Sequence, residues 1–119
     1  MTIEYHEPPQ ELTQETRDLH RALATLVEEL EAIDWYQHRL DLVADKELHS
    51  IILHNRNEEM EHAAMTLEYL RRRLPDLDTR LRTYLFTEGS IVGLESAAEG
   101  PGGDTPTLGI GSLRKGVRP

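Results

Sequence analysis

Glu29 and Glu59 each stand where a leucine would be expected on a helical wheel, and His62 follows Glu59 by three residues. At about 100° per residue, Ala22, Leu26, Ile33, Tyr36 and Leu40 fall within about 60° of Glu29. Leu48, Ile52, Ala63, Thr66 and Leu70 fall within about 40° of Glu59 on the same basis. A carboxylate among apolar side chains is costly unless it is hydrogen-bonded, paired or bound to a cation. The spacing Glu59-x-x-His62 lets a carboxylate and an imidazole reach one ion. The chain contains no cysteine, so thiolate metal sites, disulfides and cysteine nucleophiles are excluded. Carboxylate plus imidazole is a donor set suited to iron or manganese.

The elements that must carry these residues are helices. From about Leu12 to Leu42 there is neither glycine nor proline, and Leu19, Leu23, Leu26, Leu30, Ile33 and Leu40 recur at three- and four-residue intervals. That is the pattern of an amphipathic helix. Thr13, with Glu15 and Thr16 after it, reads as its start. Asp45 reads as the N-cap of a second helix running from about Lys46 to Leu74 and stopped by Pro75. So short a link between long helices forces an antiparallel hairpin. A short third helix is predicted from about Leu77 to Phe86, ended by Gly89, with a further turn or two between Ser90 and Ala98. The expected fold is all-α, with residues 1–11 as an N-terminal arm, 12–96 as the helical domain and 97–119 as a tail. Two helices cannot bury their stripes from all sides. Pairing of two chains into a four-helix bundle is the simple remedy.

Composition agrees with that need. Only 38% of the 119 residues are hydrophobic, a lean fraction for a chain that must close its own core. There are 13 basic and 22 acidic residues, a formal net charge of 13 − 22 = −9. Such a balance argues against nucleic acid, whose phosphates require a basic footprint, and suits cationic partners. No run approaches the roughly 18 apolar residues of a membrane span. The opening MTIEYHEPPQEL has no basic region followed by an apolar run, so it does not read as a signal peptide. Glycine, proline, serine and threonine dominate from Gly100 to Gly116, the composition of a flexible tether.

Bundle proteins of the di-iron carboxylate class use one Glu from each of two helices and a Glu-x-x-His from each of the other two. This chain has one of each, which is half a site. A two-fold dimer would supply two Glu29, two Glu59 and two His62. Two outward groups accompany them. Glu28, Glu31 and Trp35 share a face of the first helix, where they form either an outer cation site or a solvated acidic face. His54, Glu58 and Glu61, at i, i+4 and i+7, form a peripheral set more simply read as solvated. The run Arg71-Arg72-Arg73 complements the dipole at a helix C-terminus. His20 and His38 lie off the stripe and need no function.

The segments EELEAIDWY (28–36), HNRNEEMEHAAMTLEYLRR (54–72), LRTYLFTEG (81–89) and LGIGSLRKG (108–116) closely resemble the encapsulated ferritins, the cargo of encapsulin nanocompartments. The resemblance covers roughly residues 17–116. It implies a ferritin-like four-helix unit made by two protomers, and a ring of five such dimers. It implies a ferroxidase centre at a dimer interface, where two iron ions are held by Glu29, Glu59 and His62 of each chain with Tyr36 close by. Glu28 and Glu31 beside Trp35 match the family's outer access site for iron. The resemblance further implies that Fe²⁺ is oxidised with O₂ here and stored as mineral by the encapsulin shell, in the lumen of a cytoplasmic compartment. The tail residues Leu108, Gly109, Ile110, Gly111, Ser112, Leu113 and Arg114 match its shell-targeting peptide. Leu108, Ile110 and Leu113 have the spacing of an extended peptide that sets apolar side chains into pockets. Read without the resemblance, the residues leave two other functions open. One is a ferritin-like di-metal enzyme using manganese or reducing peroxide. The other is a helical assembly module, not an enzyme, whose buried acids are satisfied by hydrogen bonds.

Overall fold

The computed structural model describes residues 3–98. Among these, all regular structure is helical: a 3₁₀ turn at Pro9–Glu11, then α1 (Gln14–Leu42), α2 (Lys46–Arg73), α3 (Pro75–Tyr84) and α4 (Ile91–Ala98). The all-α expectation holds. No helix of the described residues is long and apolar enough to cross a membrane. The tail residues Leu108 to Arg114 lie outside the described residues.

The caps sit where residue chemistry places them. The Thr13 hydroxyl accepts a hydrogen bond from the Thr16 amide at 3.1 Å, and Asp45 Oδ2 accepts one from the Leu48 amide at 2.8 Å. Each satisfies an amide that the first turn of a helix leaves without a carbonyl partner. Three residues, Val43 to Asp45, separate α1 from α2. The two helices pack against one another as an antiparallel hairpin.

Pro75 acts differently from the sequence expectation. It does end α2, since the residue before proline is pushed out of the α region, and Leu74 has φ −121° and ψ 93°. Yet Pro75 is also the first residue of α3, because a proline at the first helical position lacks only an amide that would be unpaired anyway. The third helix therefore starts two residues before the expected Leu77 and ends at Tyr84 rather than Phe86. Phe86 has left, its φ being +60°, a left-handed conformation that ends a helix. The chain divides into two units at Pro75/Asp76.

The N-terminal arm, which the sequence left without a role, is attached to α1. Arg17 donates to the carbonyls of Pro9 and Leu12, both at 2.8 Å. The Tyr5 ring stacks on His20 with centroids 3.9 Å apart, so His20 packs the arm.

The core is thin. Ile52, Ala63 and Leu70, all on α2, are the described apolar residues that are buried. Leu23, Leu30, Leu48, Ile51 and Met60 of the hairpin stay largely exposed.

Candidate metal centre

The hairpin brings the two stripe carboxylates to one level. Glu29 lies 13 residues before the end of α1 and Glu59 lies 13 residues after the start of α2 (42 − 29 = 13; 59 − 46 = 13). At 1.5 Å per residue both stand about 20 Å from the turn. Oε1 of Glu29 is buried and has no hydrogen-bond partner. Glu59 is mostly covered, its side chain 27% exposed, and its Oε1 is 3.7 Å from His62 Nδ1. His62 Nε2 is 3.9 Å from Glu58 Oε1. Neither distance is that of a formed hydrogen bond. The imidazole thus stands between two carboxylates without being committed to either.

Each neighbour of this level contributes differently. Ile52 and Ala63, one on each side of Glu59 along α2, are buried, so the carboxylate sits on an apolar strip. Thr66 gives its hydroxyl to the His62 backbone carbonyl at 3.1 Å, a bond that does not involve the imidazole. Tyr36 is half-buried and lies under the Arg39 guanidinium, 5.4 Å from the ring centroid. It is seven residues from Glu29, about 10 Å along the axis, so one chain does not place its ring beside the Glu29 carboxylate.

The outer sets are looser. Glu28 is exposed, Glu31 half-buried and Trp35 half-exposed. His54, Glu58 and Glu61 are all exposed, and Glu58 is approached by His62 rather than grouped with His54. Among the described residues, no three His, Asp or Glu side chains of one chain converge closely enough to hold a metal ion. What one chain assembles at the inner level is the Glu59–His62 pair and the unpartnered Glu29.

One inner residue escaped the sequence reading. Arg56, three residues before Glu59, spans the hairpin: its Nη1 donates to Gln37 Oε1 of α1 at 2.6 Å. Its Nη2 donates to Asn57 Oδ1 at 3.1 Å, and its Nε is buried without a partner. The available signal was its place about 60° from Glu59 on the wheel, inside the apolar arc.

Farther along α2, Glu68 is fully engaged. Its two oxygens accept from Arg71 Nε and Nη2, both at 2.8 Å, and from Arg72 Nε at 2.7 Å. The Arg71 fork, followed by Arg72, holds its carboxyl down at about 2. The arginine run is thus tied to Glu68 and, through Arg73 stacked 4.0 Å over the ring, to Tyr69.

The EncFtn-like family profile matches residues 4–88. An "Encapsulated ferritin-like protein" of Rhodospirillum rubrum is 51% identical over 92% of this chain and 86% of its own length. An "Encapsulin nanocompartment cargo protein" of Myxococcus xanthus is 32% identical over 82% of this chain and 86% of its own. A crystal structure of a protein from Nitrosomonas europaea superimposes with a TM-score of 0.71 at 56% identity, covering 73% of this chain and 96% of that one.

Proposed function

Because the chain belongs to the EncFtn-like family of encapsulated ferritin-like proteins, we propose that it is a ferroxidase acting at a di-iron site formed where two copies meet. Its product is Fe³⁺ for mineral storage inside an encapsulin compartment. The observation that carries this reading is the buried, unpartnered Glu29 oxygen at the level of an uncommitted Glu59–His62 pair. A buried acceptor left unsatisfied costs about 1–3 kcal/mol. A cation supplied from outside the chain removes that cost.

The residues fit iron. Oxygen and imidazole donors are present, and no thiolate competes. A two-fold pairing brings two Glu29 and two Glu59, whose four negative charges match two Fe²⁺ ions. Neutralising two like cations in place is the main work of the protein, since they repel strongly in a water-poor interior. His62 serves as a neutral donor beside them. The apolar strip of Ile52 and Ala63 keeps water from the carboxylates and strengthens their hold. Bound Fe²⁺, the substrate, supplies the electrons that O₂ accepts. Glu28 and Glu31, flanking Trp35, gather cations on the outer face of α1. The exposed Leu23, Leu30 and Met60 offer the surface that a second copy covers, and a ring of five dimers is the assembly this reading adopts. Residues Leu108 to Arg114 address the protein to the lumen of the shell.

Anomalous scattering at the iron edge, from crystals of iron-loaded protein, combined with a ferrous oxidation assay, tests the reading. Iron should lie on a two-fold between Glu29, Glu59 and His62 of two chains, with O₂-dependent oxidation in solution. Iron bound elsewhere, or no oxidation, overturns it. Light scattering should register association on adding Fe²⁺, because metal that binds only the paired state favours pairing by mass action. Truncation after Asp104, co-expressed with an encapsulin shell, should abolish loading and leave oxidation unchanged.

A further inference from the structure

Arg56 combines three features that a surface arginine lacks. It reaches across the hairpin to α1 through a 2.6 Å bond to Gln37. Its Nε is buried without a partner. Its hydrogen-bond partners are neutral amides, Gln37 and Asn57, so its positive charge is held in place without being neutralised. The contrast with Arg71 and Arg72, both bonded to the Glu68 carboxylate, lies on the same helix. Arg56 precedes Glu59 by one turn, about 4.5 Å along the axis. The two groups are a helical turn apart on one side of α2, a separation on the order of 10 Å between guanidinium and carboxylate.

We propose that Arg56 is a charge-setting residue of the metal centre: its fixed positive charge lowers retention of a trivalent ion more than of a divalent one, and so favours release of the oxidised product. This rests on the ferroxidase reading above. The physical ground is Coulomb's law: repulsion from a fixed unit charge scales with the charge on the ion, so +3 is disfavoured more than +2 at the same position. Carboxylates alone have the opposite bias. They hold Fe³⁺ more tightly than Fe²⁺, and a centre built only of them would be stopped by its own product. Arg56 acts through the field and not by contact, so it is not a catalytic residue. Gln37 ties the guanidinium across the hairpin, and its neutrality leaves the charge uncompensated.

The test uses the full-length assembled protein and two ions that do not change oxidation state, Co²⁺ and Ga³⁺, the latter added as its citrate chelate. Affinities are measured by chelator competition for the wild type, Arg56→Gln, Arg56→Lys and Gln37→Glu. Arg56→Gln should raise the preference for Ga³⁺ over Co²⁺ by about tenfold, the order expected for a unit charge roughly 10 Å away at an effective dielectric near 20. Gln37→Glu keeps the cross-hairpin bond but neutralises Arg56, and should move the preference in the same direction. Arg56→Lys keeps the charge and should resemble the wild type. A preference unchanged in Gln37→Glu overturns the proposal, as does an Arg56→Lys protein that behaves like Arg56→Gln. Should the wild type bind neither ion at Glu29, Glu59 and His62, the ferroxidase reading itself falls. Binding in the wild type with an unaltered preference in the variants removes only the role of Arg56.

Discussion

Two stretches of α2 treat the same side chain in opposite ways. At Glu68, guanidinium groups of Arg71 and Arg72 stand 2.7 to 2.8 Å from the carboxylate, and its charge is fully answered within the helix. At Glu59, nine residues earlier, the ion-pair distance is 3.7 Å, to the His62 imidazole, and across the hairpin Glu29 has a buried oxygen with no partner. Both stretches are rich in acids and bases. The difference teaches that acidity by itself does not mark a cation site. A carboxylate spent on arginine is structural, and one buried without a donor is available. The distinction is physical: the i, i+3 and i, i+4 spacing of Glu68 to its arginines closes short, charge-assisted bonds, whereas Glu59 has at i+3 only a ring that is also shared with Glu58.

The largest expected effect sharpens this contrast directly. Glu29→Ala, Glu59→Ala and His62→Ala should each lower interfacial metal affinity and ferrous oxidation by about a hundredfold or more, at or beyond the loss known for outer-shell partners of a metal. In the proposed two-fold site each change would act twice. Helical content by circular dichroism should persist, since alanine is the best helix former. Glu68→Ala should leave both activities intact, and equal losses at Glu68 would dissolve the comparison.

A smaller effect is expected from the outer acids. The double variant Glu28→Ala, Glu31→Ala should shift the oxidation rate several-fold at low iron, through the local field that concentrates cations. The saturating metal stoichiometry should not change. Stopped-flow absorbance across iron concentrations reads this, and identical kinetics at every concentration would return the two residues to a solvated face.

Stability should separate the two regions with opposite sign. In metal-free protein, Glu29→Gln replaces a carboxylate whose buried Oε1 lacks a partner with a neutral amide, and should stabilise by about 1 kcal/mol. Glu68→Gln removes a carboxylate that is fully bonded and should destabilise. Denaturant midpoints measured side by side decide this, and a loss at both positions would mean that Glu29 has a protein partner after all.

The smallest effect concerns acid. The carboxyl of Glu68 is depressed in the folded chain, from 4.5 to about 2. Its stabilisation is therefore complete above 4.5 and is lost as pH falls from there through about 2. Because the pair is solvent-screened, the effect is slight. Glu68→Gln should make the acid limb of the melting temperature shallower in that window only, which a series of melts from pH 5 to pH 2 would show.

Much of the fold was legible from local chemistry. Thr13 and Asp45 cap α1 and α2 where their hydroxyl and carboxylate are required, the leucine spacing announced α1, and Asp45 and Pro75 bounded α2. The equal count of residues from Glu29 and Glu59 to the turn is also in the chain itself, because helical rise is constant. Pro75 was legible only as a stop. Its second use, as the first residue of α3, depends on the φ value that proline shares with a helix N-terminus, and nothing in the residue type decides between stop and start.

What the tertiary structure alone decided is the state of individual long side chains. The wheel places Glu29 within the apolar arc of α1, and Glu59 and Arg56 within that of α2, and says nothing of which finds a donor or an acceptor. That choice depends on the packing of α1 against α2, where Gln37 happens to lie within reach of Arg56 while no donor reaches Glu29 Oε1. Helix position follows from backbone periods a few residues long, so sequence determines it. The pairing of charges depends on several rotatable bonds meeting a neighbour 19 residues away in the chain, and only the folded hairpin brings that neighbour close.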